Sequence, residues 1–194
     1  MSEHCGKSQQ GSMQLHRLVN EEQIQSRVAE LAGQISCDYE GRELTIIAVM
    51  KGAIFFLVDL LRCLRMPVRL EVVHVASYAG TASSGTVHVL SEISVDIRGR
   101  HVLVVDDILD SGLTLSFVVR EIQRHSPASV QTCVLLRKQV QRSIPVDADY
   151  CGFDIDGEFV VGYGLDYNDL YRNLPYIAEL RRPPFNRQSP AEHP

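Results

Sequence analysis

Residues 102–115 read Val-Leu-Val-Val-Asp-Asp-Ile-Leu-Asp-Ser-Gly-Leu-Thr-Leu, and few folds accommodate such a string. Val102 to Val105 form an apolar run of the kind buried on both faces of a parallel sheet. Asp106 and Asp107 stand at its carboxyl end, followed by the turn Asp110-Ser111-Gly112-Leu113-Thr114 and a helical pattern from Leu115 to about His125. Open α/β sheets bind ligands beyond the carboxyl ends of their strands. A hydroxyl-rich turn opening a helix offers free N–H groups and a positive dipole end to a phosphate. Three aspartates in the same place would repel that phosphate. The pattern makes sense for a ligand with a phosphate at one end and a carboxylate-seeking group at the other. A sugar diol, a divalent cation or a proton to be removed would each qualify.

The rest of the chain alternates strand and helix patterns. Asn20 and Gln23 form a capping-box-like start, and Ile24, Val28, Leu31 and Ile35 mark one helical face. Leu44 to Val49 reads as a central strand, Ala53 to Leu64 as a helix, and Val68 to Ala76 as a strand. The small polar loop Ser77 to Gly85 leads into Thr86 to Leu90, a hairpin-like insertion of the sort that serves as a lid. Val130 to Leu136 is the next strand, and the last third shows short strand patterns such as Phe159-Val160-Val161-Gly162. This alternation predicts an α/β fold, a central parallel sheet flanked by helices. A single domain over 14–181 is expected, with flexible tails at 1–13 and 182–194, where polar residues and prolines concentrate.

Composition narrows the function classes. A net charge of −5 argues against nucleic acid or an anionic membrane as partner. No apolar run approaches the ~20 residues of a membrane-spanning helix. The 5 cysteines are widely spaced, with no Cys-x-x-Cys, which favours a reducing, cytoplasmic setting over a disulfide frame or zinc site. Cys63 and Cys133 fall in apolar patterns and are expected to be buried. The dinucleotide fingerprint Gly-x-Gly-x-x-Gly is absent. Gly80 and Gly85-Thr86 have the glycine spacing of a P-loop but lack its lysine.

The string at 102–115 resembles the phosphoribosyl-pyrophosphate signature of the type I phosphoribosyltransferases. The resemblance implies that Asp106 and Asp107 take the ribose hydroxyls and help hold Mg²⁺. Ser111, Gly112, Leu113 and Thr114, with Asp110, would surround the 5′-phosphate. Other segments resemble the hypoxanthine-guanine branch, from about Leu18 to Leu180, which adds a small hood region and a mobile hairpin loop to the expected fold. Met50-Lys51-Gly52 matches a pyrophosphate-binding turn with a non-proline cis peptide before the lysine. Ser77 and Tyr78, with Ser83-Ser84-Gly85, match the mobile loop that excludes water from the reacting ribose. Asp110 falls at the position of the general base beside purine N7. Lys138 would donate to purine O6, so that adenine, with an amino group there, is rejected. Phe159 would stack on the base and the Val160 backbone would read its edge. Asp166 would belong to the purine site and help bind a second Mg²⁺, and Arg172 would contact pyrophosphate. The resemblance also implies a homodimer or homotetramer.

Each residue has a plainer reading in isolation. Two aspartates can be a solvated strand end, Asp110 a turn former, Lys138 a surface lysine and Phe159 a core aromatic. Their joint occurrence favours the functional reading. One residue departs from the branch: position 106 is Asp where Glu is usual, a side chain one methylene shorter. Asp-Asp occurs in branches acting on other bases and in regulatory nucleotide- or RNA-binding proteins of the same fold. Asp110 and the 159–166 segment oppose both alternatives. The implied reaction is transfer of the phosphoribosyl group from phosphoribosyl pyrophosphate to hypoxanthine and/or guanine.

Overall fold

The computed structural model describes residues 13–78, 86–89, 93–141 and 144–181. Its elements in chain order are β1 (Gln14–Val19), α1 (Glu21–Asp38), β2 (Leu44–Met50), α2 (Ile54–Cys63), β3 (Val68–Tyr78) and β4 (Thr86–Val89). They continue with β5 (His101–Leu109), α3 (Leu113–Gln123), β6 (Ser129–Lys138), β7 (Tyr150–Ile155), β8 (Val160–Val161) and β9 (Ile177–Arg181). The large sheet has the order β4-β3-β2-β5-β6-β7. Strands β3, β2, β5, β6 and β7 are mutually parallel, and β4 pairs antiparallel with β3.

Alternation along the central strands builds two cores. Ile46, Ala48, Leu103 and Val105 face α1 and α2, meeting Ile24, Leu31, Ile35, Phe56 and Leu60. Ile47, Val49, Val102 and Val104 face the other way, onto Leu115, Val118 and Ile122 of α3. A strand buried on both faces therefore reads as a continuous apolar run. Asn20 caps α1 as its sequence predicts: its side chain accepts from Gln23 N at 2.8 Å and its own N–H donates to Gln23 Oε1 at 2.9 Å.

Element bounds shift by one or two residues from the sequence reading, as in β3 and β6, and other details differ as well. Strand β5 continues past its apolar run to Leu109, because ladder bonds to β6 depend on backbone, not on side-chain polarity: Asp106 pairs with Val134 and Ile108 with Leu136. Helix α3 opens at Leu113, two residues earlier than the apolar pattern marks it. Cys133 is buried as expected, but Cys63 is exposed. Helix α2 buries only the face carrying Phe56, Leu57 and Leu60, so apolar neighbours in sequence do not guarantee burial.

A second, antiparallel sheet of order β1-β9-β8 forms the hood. At the other edge, Ser77 and Tyr78 pair with Val87 and Thr86, giving the hairpin its two arms. The hairpin tip, Ser83-Ser84-Gly85 included, lies outside the described residues, as do residues 1–12 and 182–194 of the two tails.

Candidate active site

The carboxyl ends of β2 and β5 open into a cleft of about 200 Å³. Its lining includes Met50, Gly52, Asp106, Asp107, Asp110, Ser111, Gly112 and Thr114. Of the sequence-predicted residues, these are brought together directly. Val49, Val75 and Leu115 also line it. Sequence reasoning passed over them because apolar residues at element ends carry no signal distinct from the core.

Asp106 continues the parity of Val102 and Val104, and Asp107 that of Leu103 and Val105. Asp106 is buried, 5% exposed, and its Oδ1 accepts from Asp107 N at 2.9 Å. Asp107 Oδ1 accepts from Ile108 N at 2.9 Å. Burial first, and then the neighbouring Asp107 charge, push the Asp106 carboxyl well above its usual range. Burial also raises Asp107, against the opposing pull of its hydrogen bonds and the Arg172 guanidinium. Two adjacent, desolvated carboxylates are a place where a cation relieves repulsion. Their donors are all oxygen, the ligand type of Mg²⁺. Among the described residues no three acidic, His or Cys side chains gather as a metal cluster. The pair could therefore supply part of a coordination shell, with substrate oxygens and water completing it, as is usual for Mg²⁺.

Gly112 caps α3 with φ +82, and a Cβ there would sit 2.5 Å from Val146 Cγ1, so only glycine fits. The Gly112 cap has no side chain to engage the helix start, so the N–H groups after that of Leu113 lack an intrahelical partner, and they belong to the cleft-lining Thr114 and Leu115. Ser111 Oγ accepts from Leu113 N at 3.4 Å within this turn.

The Met50–Lys51 peptide is cis, as the resemblance implies. A Cβ on Gly52 would fall 1.6 Å from Asp107 Oδ2, so the glycine allows the turn to lie directly on that carboxylate. Lys51 is exposed beside it.

Asp110 and Lys138 come from different strand ends and meet: Lys138 Nζ donates to Asp110 Oδ2 at 2.7 Å. The lysine side chain is 13% exposed and the aspartate 53%. This puts a cationic donor next to an anionic acceptor at the cleft mouth.

The hood supplies the remaining residues. Phe159 is 50% exposed, its ring edge-on to Tyr167 at 5.7 Å. Val160 is buried and paired with Glu179. Arg172 donates to Gly164 O at 2.6 Å and pairs with Asp166 Oδ1 at 2.6 Å, so Asp166 is engaged by an arginine. Sequence reading gave no role to Tyr163, although it donates to Asp59 Oδ2 at 2.5 Å. Its sequence signal is slight: an aromatic between two glycines.

A helix start free to bind an anion, a buried acid pair and a donor–acceptor pair share one edge of a parallel sheet. The class they define is an α/β protein that handles a phosphorylated sugar. Residues 15–168 match the phosphoribosyl transferase domain family. The hypoxanthine-guanine phosphoribosyltransferase of Mycobacterium avium is 46% identical over 170 residues, covering 84% of each chain. The hypoxanthine-guanine-xanthine phosphoribosyltransferase of Tritrichomonas foetus is 39% identical over 165 residues, covering 84% of this chain and 90% of its own. A crystal structure of a hypoxanthine-guanine phosphoribosyltransferase from Bacillus anthracis superposes with a TM-score of 0.81 at 42% identity, over 88% of this chain and 100% of that one. The chain belongs to the phosphoribosyltransferase family, on its hypoxanthine-guanine branch.

Proposed function

We infer that this chain is a cytoplasmic purine-salvage enzyme. It transfers the 5-phosphoribosyl group from phosphoribosyl pyrophosphate to hypoxanthine and/or guanine, giving IMP or GMP and pyrophosphate. The similarity to named relatives supports the reaction class. The observation that carries the base specificity is the Lys138–Asp110 pair, with Nζ and Oδ2 2.7 Å apart. A 6-oxopurine protonated at N7 presents an acceptor, O6, beside a donor, N7–H. Lysine and aspartate present the matching donor and acceptor side by side. Adenine would set its amino donor against the ammonium, a mismatch that strongly disfavours binding.

The proposed reaction divides among the residues as follows. The amides of the Ser111–Thr114 turn and the α3 start hold the 5′-phosphate, and Asp106 and Asp107 accept from the ribose 2′ and 3′ hydroxyls. Lys51, the Gly52 amide and Arg172 bind the pyrophosphate. Phe159 stacks on the base, and the Val160 backbone fixes its edge. The C1′–O bond to pyrophosphate breaks through a transition state with oxocarbenium character. The C1′–N9 bond forms, and the N7 proton passes to Asp110. Mg²⁺, held by Asp106, Asp107 and the second-site Asp166 together with substrate oxygens, would neutralise charge on the leaving pyrophosphate. The arm ending at Ser77 and Tyr78 leads into the loop proposed to shield the reacting ribose from water. A homodimer or homotetramer is part of this reading; the exposed Ile54, Phe55 and Val58 on α2 support it.

Asp110→Asn keeps the shape and an acceptor oxygen but cannot take a proton. Turnover should fall by about 10²-fold or more, while the Kd for phosphoribosyl pyrophosphate, measured by calorimetry, stays within about two-fold. Unchanged turnover would remove Asp110 from the base role.

A further inference from the structure

The pyrophosphate turn and the hood turn touch through two glycines. A Cβ on Gly164 would lie 2.0 Å from Gly52 O, just as one on Gly52 would lie 1.6 Å from Asp107 Oδ2. Asp107, Gly52 and Gly164 thus form a stack with no room for side chains between its layers. The hood turn is an unusual piece of backbone. Gly162, Tyr163 and Gly164 all have positive φ, at 99, 48 and 102°. A tyrosine in that region is uncommon and must be held there by its surroundings.

The surroundings are identifiable. Gly162 and Leu165 exchange backbone hydrogen bonds, and Tyr163 N donates to Leu174 O at 2.8 Å. The Tyr163 ring is buried and packs on Phe55 at 6.1 Å. Its hydroxyl donates to Asp59 Oδ2 at 2.5 Å. Asp59 lies on α2, the helix that the pyrophosphate turn leads into. This hydroxyl is therefore a direct polar tie between the hood turn and the body beneath it. Downstream, the Gly164 carbonyl accepts from Arg172, which also grips Asp166. Phe159 and Val160 are anchored elsewhere: Val160 pairs with Glu179, and Leu180 N donates to Phe159 O at 2.8 Å.

We propose that Tyr163 is a positioning residue whose hydroxyl, held on Asp59, seats the Gly162–Leu165 turn on Gly52 and so fixes Arg172 and Asp166 over the pyrophosphate turn. This rests on the assignment of that turn and of Arg172 to pyrophosphate. The consequence is selective. The pyrophosphate half of the site depends on the tie, whereas the purine half depends on β9.

The test is Y163F, which removes one oxygen and keeps the ring, alongside D59A and D59N in the full chain. Y163F and D59A should each raise the KM for phosphoribosyl pyrophosphate about five-fold, the effect of one hydrogen bond. The KM for hypoxanthine should stay within about two-fold. D59N retains an acceptor for the hydroxyl and should restore the phosphoribosyl pyrophosphate KM to within about two-fold of wild type. The proposal is overturned if only the melting temperature changes, or if both KM values rise together. Should Y163F not fold, D59A against D59N decides: equal KM values for phosphoribosyl pyrophosphate overturn the proposal. If the wild-type protein turns over no 6-oxopurine, the assigned reaction falls, while calorimetric binding of phosphoribosyl pyrophosphate to the same variants still reads the tie.

Discussion

Asp106 and Asp107 are costly to keep ionised side by side. Burial raises both carboxyls above the ordinary 3.8, and for Asp106 the neighbouring charge adds to the rise. The folded chain then binds protons more tightly than the unfolded chain between 3.8 and those raised values. Over that window stability falls as pH rises, and it is recovered as pH drops again. Asp106→Asn removes one charge and keeps the acceptor that Asp107 N uses. In chelator at pH 8 it should raise the melting temperature by about 2–4 °C. That gain should shrink as pH falls and protonation of the wild-type pair relieves the repulsion, and turnover should fall sharply. A melting temperature that is lower at pH 8, or a gain that grows on acidification, would show that repulsion is not the dominant feature of the pair. Asp106, where the sequence differs from the pattern it resembles, is 5% exposed and forms part of the cleft wall.

At the scale of elements, the sequence was most legible where one local rule decided the outcome. The Asn20–Gln23 capping box is present with both hydrogen bonds. Asn20→Ala should therefore lower stability by about 1 kcal/mol in denaturant melts, with KM values unchanged because α1 contributes nothing to the cleft lining. The buried strands β2, β5 and β6 were legible from their unbroken apolar runs. Strands β1 and β9 were not. Much of β1 is exposed, so it offers no apolar alternation to read, and its pairing with β9 joins residues from opposite ends of the described chain. Pairing over such separation is a tertiary outcome that no local window carries. The same limit hid Tyr163 and Asp59, whose contact spans 104 residues.

For the whole molecule, the parallel sheet turns one edge into a meeting place. The acid pair and the α3 start arrive there from β5 and the cis turn from β2, and the hood adds Phe159, Asp166 and Arg172 from the far end of the chain. The residues assigned to the phosphate were easy to single out because one continuous string holds them, and that string lines the cleft. The residues assigned to the purine were singled out only through resemblance, since Lys138 and Asp110 are 28 residues apart and nothing local in sequence shows that they meet. Among the described residues no helix is long and apolar enough to cross a membrane. In the proposed reaction the specificity of the site rests on the donor–acceptor match at Lys138–Asp110. The direct measurement is nucleotide formation from phosphoribosyl pyrophosphate and Mg²⁺ with hypoxanthine, guanine, xanthine or adenine in parallel. Turnover of hypoxanthine or guanine, with adenine slower by about 10³-fold or more, is the predicted result. Turnover of adenine at a comparable rate, or of no 6-oxopurine at all, would contradict it.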